Sequence, residues 1–331
     1  MMYTVAMRHA AIALGSALGS NLFVPDAAFA QAADYPSRPV TIIVPTGPGA
    51  STDIETRLYA QKLTERTGKP FNVDFKPGAA QTLGPAYVAR SAPDGHTLVT
   101  VTGSFTATPA LMTLPYDPVK DIAPISLMSN RTTVIAAYPG APFRNVAEYI
   151  AYTRAHPGEV NVSTNGSGGS PHLNAAWFHI LANTQVTFIH YKAAGAALTD
   201  LMAGRVIATF STALSVLPHL KSGKLRVLGI ASAERSPLLP GVTTAAEQGL
   251  KDYNYASWFG VGAPGATPQP IIDKLNAELV SISRLPDIAA KLEADGGTMV
   301  GSTPQQFRQV LTAEMARYRK LVQDTGIKLE E

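Results

Sequence analysis

The chain has 331 residues, 46% hydrophobic and 15% charged, with a formal net charge of +3 and no cysteine. That length permits two domains of ordinary size, and the mild charge forms no Lys/Arg block, which argues against a nucleic-acid groove or a polybasic membrane patch. The lack of cysteine excludes a disulfide framework and thiol chemistry, so stability must come from a large apolar core.

Residues 1–30 read as a secretory signal: Arg8 and His9 form the charged head, Ala10 to about Val24 the apolar stretch, and Ala28-Phe29-Ala30 the small-x-small cleavage site. The apolar stretch is too short and too rich in Ala, Gly and Ser to make a good membrane span. Cleavage before Gln31 removes one arginine and one aspartate, so the charge balance is unchanged. The expected product is a soluble exported protein.

From Gln31 to Arg38 the chain is a polar lead-in. Val40–Val44, a continuous apolar run, predicts a strand buried on both faces. It enters Pro45-Thr-Gly-Pro-Gly-Ala-Ser-Thr-Asp53 and then a helix capped at Ser51 or Thr52 that ends at Gly68. Helical spacing puts Ile54, Leu58, Tyr59 and Leu63 on its inner side, with Glu55, Lys62 and Glu65 facing away. A strand at Phe71–Phe75 leads to Lys76-Pro-Gly-Ala-Ala-Gln-Thr-Leu-Gly84 and a helix through Arg90, and Thr97–Thr102 is a strand opening into a Gly103-Ser-Phe-Thr106 turn.

The middle section is predicted as strand Thr133–Ala137, helix Val146–Ala155, strand Val160–Ser163, helix Leu173–Ala182, strand Val186–His190 and helix Ala196–Ala203. Strands Val206–Phe210 and Leu225–Ala231 follow, flanking a helix at Leu217–Ser222. The last part holds strand Tyr255–Gly262 and helices Pro268–Ile282, Pro286–Ala294 and Pro304–Thr325. Strands alternating with helices imply α/β layering with largely parallel sheets. Two lobes are expected, with the chain crossing between them near 126–134 and again near 253–261: residues 31–130 with 254–331 form the first, and 131–253 the second.

A repeated device carries the chemistry. The first strand and Val160–Ser163 each run into a glycine-rich turn and a helix start, the second through Asn165-Gly-Ser-Gly-Gly-Ser-Pro-His172. Such turns set free backbone N–H groups at the positive end of a helix, where an anion is held without a charged side chain. Gly47-Pro-Gly49 is not a dinucleotide fingerprint, because Thr52 stands where the third glycine belongs. Ser51, Ser104 and Ser167 are placed like nucleophiles, yet none lies in G-x-S-x-G, and His172 and His190 lack a carboxylate partner in sequence. His172 and His179 are seven residues apart without a zinc motif, so neither metal nor cofactor is expected. An exported hydrolase or isomerase remains the competing class, since triad members can be far apart in the chain.

A longer series of motifs then resembles a known family. It runs through Pro45-x-x-Pro-Gly-x-x-x-Asp53, Pro77-Gly-Ala79 with Gly84, Ala92-Pro-Asp-Gly95-x-Thr97-Leu98, and Leu114-Pro-Tyr-Asp-Pro118 with Lys120-Asp121. Gly166-x-Gly168 with His172-Leu173, Tyr191-Lys192, Asp200-Leu-x-x-Gly204, Gly223-Lys-Leu-Arg226, Pro240-Gly-Val-Thr-Thr244 with Glu247, Trp258-x-Gly260, and Ala263-Pro264-x-x-Thr267-Pro268 complete it. In this order the motifs are similar to the Bug family, the substrate-binding receptors of tripartite tricarboxylate transporters, across essentially the whole chain after residue 30.

The resemblance implies a two-lobed periplasmic binding protein of the Venus-flytrap, type II-like kind, each lobe a mostly parallel sheet with flanking helices, closing on a small carboxylate. It implies no turnover, no cofactor, a monomer, and membrane subunits of a tripartite tricarboxylate transporter as partners, with a sensor-kinase ectodomain as the alternative. Carried onto this chain, the ligand-binding residues are Gly49, Ala50 and Ser51, then Ala79, Ala80 and Gln81, from the first lobe. The second lobe contributes Ser167, Gly168, Gly169 and Ser170, then Ala193, Ala194, Ser211 and Thr212. Ser104 and Phe105 join as candidates, Phe105 as a stacking wall. The chain departs from the family pattern at Ala50 and Gln81, where glycine is common, at Ala193, and at Ile207 and Ser211, where acids are frequent. Loss of acid from the second lobe favours a non-amino carboxylate: a di- or tricarboxylate, or an aromatic acid.

Overall fold

The computed structural model describes residues 34–48, 51–165, 170–191, 194–294 and 296–326; the expected signal segment lies outside them. In chain order the first part comprises β1 (Val40–Val44), α1 (Ser51–Thr67), β2 (Phe71–Phe75), a 3-10 turn at Ala79–Gln81, α2 (Leu83–Ala89), β3 (Thr97–Thr102), α3 (Gly103–Ala107) and β4 (Ile122–Arg131). There follow β5 (Thr133–Ala137), α4 (Val146–Ala155), β6 (Asn161–Asn165), α5 (Ser170–Leu181), β7 (Thr187–Tyr191), α6 (Ala194–Met202), β8 (Ala208–Thr212), α7 (Ala213–Lys221) and β9 (Arg226–Ile230). The chain ends with β10 (Ser257–Pro264), α8 (Gln269–Ser283), α9 (Pro286–Ala294), β11 (Gly297–Met299) and α10 (Pro304–Thr325).

These strands form two sheets with helices on both faces, ordered β11-β4-β10-β3-β1-β2 and β7-β6-β8-β5-β9. The chain leaves the first sheet at Thr132 and returns to it at Ser257. The sheets are mixed: four of six strands in the first and four of five in the second run one way, and the others run against them. β1, β2 and β3 run parallel, as do β6, β7 and β8, while β4, β10 and β11 pair antiparallel in the first sheet and β5 pairs antiparallel to β8 and β9 in the second. The cause is the crossing itself. A strand that leaves one sheet from the end where its parallel neighbours finish must run with them, so its return strand runs against them.

Each sheet is sandwiched. In the first, Val40, Ile42, Leu98 and Ile125 pack with Tyr59 and Leu63 of α1 and Ile271, Leu275 and Leu279 of α8, while Ile43, Val99 and Val101 pack with Phe307, Leu311 and Met315 of α10. In the second, Phe210 and Val162 meet Tyr149 and Phe178, and Val134 and Ala136 meet Leu198, Leu201 and Val216. The long helix α10 starts on a capping box, with the Thr303 side chain accepting from Gln306 N and the Gln306 side chain accepting from Thr303 N, and stops at Gly326 with φ 66°.

The face expected for α1 is corrected at two positions. Glu55 is 1% exposed and Ile54 is 55% exposed. Arg131, at the end of β4, reaches Glu55 Oε2 at 2.5 Å and Ser129 Oγ donates to Oε1 at 2.6 Å, so the carboxylate is buried because two distant donors await it. A buried, paired charge of this kind is invisible to helical periodicity.

Two glycines in β10 set how close the flanking layers come. A Cβ at Gly260 would lie 2.3 Å from Cζ of the fully buried Phe307, and one at Gly262 would lie 2.8 Å from Ile122 Cγ2. Overpacking costs about 1–3 kcal/mol. Gly260→Ala is therefore expected to lower unfolding free energy by about that much at unchanged denaturant m-value, measured by urea titration. Parental stability in the variant would mean that Phe307 has room to retreat.

Candidate functional site

Because β1, β2 and β3 are parallel, the segments after them emerge at one end of the first sheet; the segments after β6, β7 and β8 likewise share one end of the second. These ends face each other. α3, after β3, touches α5, after β6, and Ala107 and Leu173 join Tyr318 and Leu321 of α10 in one small apolar cluster. The Arg317 guanidinium of α10 lies over Trp177 of α5, 4.5 Å from the ring centre, so the C-terminal helix spans the junction.

On the first-sheet side, the loop between β1 and α1 is tied at its neck by contact between the Thr46 and Thr52 hydroxyls. Asp53 sits buried in the first turn of α1, where its carboxylate is met by Arg57 Nε at 2.6 Å. After β2, Ala79, Ala80 and Gln81 all take positive φ, at 46°, 52° and 71°. The Thr102 hydroxyl donates to Gln81 Oε1 at 2.9 Å, which lays Gln81 against the start of α3. Ser104, one residue into that helix, is buried, and its hydroxyl has no partner among the described residues.

On the second-sheet side, the Tyr191 hydroxyl donates to Asp200 Oδ2 at 2.8 Å and Arg205 holds Oδ1 at 2.7 Å, pinning the end of β7 to α6. The Tyr191 hydroxyl and Arg205 keep Asp200 below the usual carboxylate range. At the end of β8, Ala213 N, the first donor of α7, is bonded to Thr132 O on the crossing at 2.8 Å, and the Thr212 hydroxyl pairs with Ser215 Oγ at 2.9 Å. Beneath the start of α5, His172 meets His190 at 4.5 Å between ring centres and Phe188 at 4.8 Å, and Thr164 Oγ1 contacts His190 Nδ1 at 2.6 Å. Burial, with His190 alongside, pushes His172 down to about 4, so at neutral pH this imidazole is uncharged. It adds packing there and no formal charge.

Of the residues expected at the site, Gly49, Ala50, Ser167, Gly168, Gly169 and Ala193 lie outside the described residues, as do the side chains of Ser51, Ser170 and Ala194. The backbone of those three begins α1, α5 and α6. Ala79 and Ala80 are exposed, Gln81, Ser211 and Thr212 half-buried, and all five stand at the facing ends of the two sheets. Phe105 is a correction: it is 5% exposed, stacked on Tyr116 at 6.3 Å, and packed with Val101, Trp258 and Phe307. What reads as a turn is the short helix α3, which rotates the ring inward and leaves no face for a ligand. Ile207 precedes β8 at the end remote from the cleft, about 13 Å along the strand from Ser211. Its side chain therefore stands apart from the facing ends. Thr102 was not singled out by sequence, and only the contact with Gln81, 21 positions away, reveals it.

Among the described residues, no group of acidic or histidine side chains could hold a metal and no helix is long and apolar enough to cross a membrane. An open cavity of about 800 Å³ lies beside the crossing, lined by residues that include Thr132, Ser236, Leu238, Arg284 and Val300.

Residues 56–327 match the family model described as Tripartite tricarboxylate transporter family receptor. The chain is 34% identical over 316 residues to Protein BugT of Bordetella pertussis, covering 94% of this chain and 97% of that protein. Among solved structures, it is similar to R. palustris Rpa4515 with adipate, at 32% identity and TM-score 0.79, covering 90% of this chain and all of that one. It is also similar to MatC (Rpa3494) from Rhodopseudomonas palustris with bound malate, at 31% identity and TM-score 0.76, over 87% of this chain and all of that one.

The buried histidines give the fold an acid-sensitive stability. His179, bonded to Tyr149 and Thr184, is pushed by burial down to about 3. An unfolded histidine titrates near 6.5. Between that value and the lower native one the unfolded chain binds protons that the native chain refuses, so stability is present above about pH 6.5 and declines as pH falls. At pH 5 this amounts to roughly 2 kcal/mol for each of His172 and His179. Urea titrations at pH 7 and pH 5 are expected to show that loss, and His179→Gln should lose roughly 2 kcal/mol less over the same interval. An identical pH dependence in the variant would remove His179 from this role.

Proposed function

We propose that this chain, which belongs to the tripartite tricarboxylate transporter receptor family, binds a small aliphatic dicarboxylate between its two facing sheets and delivers it to the membrane subunits of such a transporter from the periplasm. The observation that carries this reading is the convergence of segments after six parallel strands, several of which begin helices, on one junction. Backbone donors at helix starts suit carboxylates, and two relatives near 31% identity hold adipate and malate, both dicarboxylates. The inward turn of Phe105 weighs against an aromatic acid, since the stacking face foreseen for one is occupied by Tyr116.

In this reading residues 31–130 with 254–331 form one lobe and 131–253 the other. Ligand favours a closed arrangement that already exists in equilibrium with an open one, and the transporter recognises the closed state. The family is one of substrate-binding receptors, and the site residues named above act by binding, without turnover.

A thermal-shift screen of the exported form against linear and hydroxylated diacids, citrate, aromatic acids and amino acids tests the assignment. A diacid at about 100 times its dissociation constant should add roughly 2.7 kcal/mol of apparent stability. Stabilisation by diacids and not by amino acids is the expected outcome. Preferential stabilisation by an amino acid would overturn the ligand class.

A further inference from the structure

Residues 79–81 form a run of left-handed backbone without a glycine, at φ 46°, 52° and 71°. L-residues resist that conformation because Cβ crowds the following carbonyl, and strain of this sort is found where surrounding structure imposes it, often at a binding site. Two of the three side chains are methyl groups. Gln81 is the one able to make a directed polar contact, and the structure shows how it is aimed.

Gln81 Oε1 accepts from Thr102 Oγ1 at 2.9 Å, while Thr102 Oγ1 itself accepts from Ser104 N at 3.4 Å. A threonine hydroxyl has a single hydrogen, and here it goes to the amide oxygen. The amide is thereby oriented: its oxygen faces β3, and its NH2 group faces the other way. No described residue accepts from Nε2, although Gln81 is half-buried. The 3-10 turn lies against α3, and α3 lies against α5 of the opposite sheet, so the group stands where the two sheets face each other. The unpartnered Ser104 hydroxyl is close by on the same helix start.

We propose that Gln81 is a specificity-determining residue of the cleft, its Nε2 a fixed donor that selects acids carrying a second oxygen acceptor over monoacids and over acids bearing an ammonium. This rests on the receptor reading above. A neutral donor facing a carboxylate makes a charge-assisted bond, whereas an ammonium brings only donors and would meet donor with donor. Thr102 is a positioning residue that acts through Gln81.

Two series of matched length test the proposal by titration calorimetry: adipate, hexanoate and 6-aminohexanoate, and succinate, butyrate and 4-aminobutyrate. Wild-type protein is expected to bind the diacid of at least one series roughly tenfold or more tighter than its monoacid and amino acid. Gln81→Leu should lose about that factor for the diacid while its monoacid affinity stays within about twofold. Gln81→Glu should turn the preference toward the amino acid, and Thr102→Val should fall between wild type and Gln81→Leu. Gln81→Gly should lose diacid affinity while the ligand-free melting temperature stays equal or rises, which a merely structural glutamine would not produce. Equal loss of diacid and monoacid in Gln81→Leu, or no loss of either, overturns the role of Gln81 and leaves the receptor reading standing. Failure of folded wild-type protein to bind either diacid overturns both.

Discussion

The Glu55–Arg131 pair is the interaction on which the rest of the arrangement depends. Glu55 belongs to the helix that starts at the first loop of the site, and Arg131 is the last residue of the strand before the chain changes sheets at Thr132. Taking two charges out of water costs several kcal/mol each, and removing one partner would leave the other unpaired at a cost of about 3–5 kcal/mol. Ser129 also donates to the carboxylate, which ties the pair to one relation of helix to strand. One residue on, Thr132 O caps the start of α7. The crossing therefore fixes a site helix on each side of the junction: α1 through a buried charge and α7 through a backbone bond.

Around this junction the molecule gathers binding groups, and several titratable side chains among the described residues are paired or uncharged there. Asp53 is neutralised by Arg57, Asp200 by Arg205, and His172 is neutral because it is buried beside a second imidazole. The described residues at the facing ends also offer partial charge: helix starts, hydroxyls and an amide. Such groups stabilise an anion by direction, not by net field, so the ligand's geometry decides the outcome more than its total charge does.

Much of this was legible in the sequence. The apolar run Val40–Val44, the punctuating glycines and the caps mark the β–loop–α units within a few residues of where they stand, and the motif order identifies the family. Illegible were features decided by partners far away in the chain. Glu55 reads as an outward residue until Arg131 is brought to it. Phe105 reads as loop until α3 forms and Tyr116 receives the ring. The strand Ile122–Arg131 is not among the elements read from the sequence; its Pro124 pairs with Gly262 beside the register shift at Val261/Gly262. The left-handed turn at 79–81 carries no glycine at those three positions to announce it.

The placement of the two tryptophans has an optical consequence. Trp258 donates from its indole to Glu314 within the first-sheet layer, and Trp177 lies under Arg317 from across the junction. Both charges sit on one helix, a single turn apart, and Arg317 Nη2 contacts Glu314 Oε1 at 3.2 Å. Indole emission responds to nearby charge, so the two chromophores report on the same helix from opposite sides. Relative rotation of the sheets would separate Trp177 from its cation and leave Trp258 with its carboxylate. If the two sheets rotate as proposed, Trp177 is the moving probe and Trp258 the stationary reference, and ultraviolet fluorescence would follow that motion without any added label.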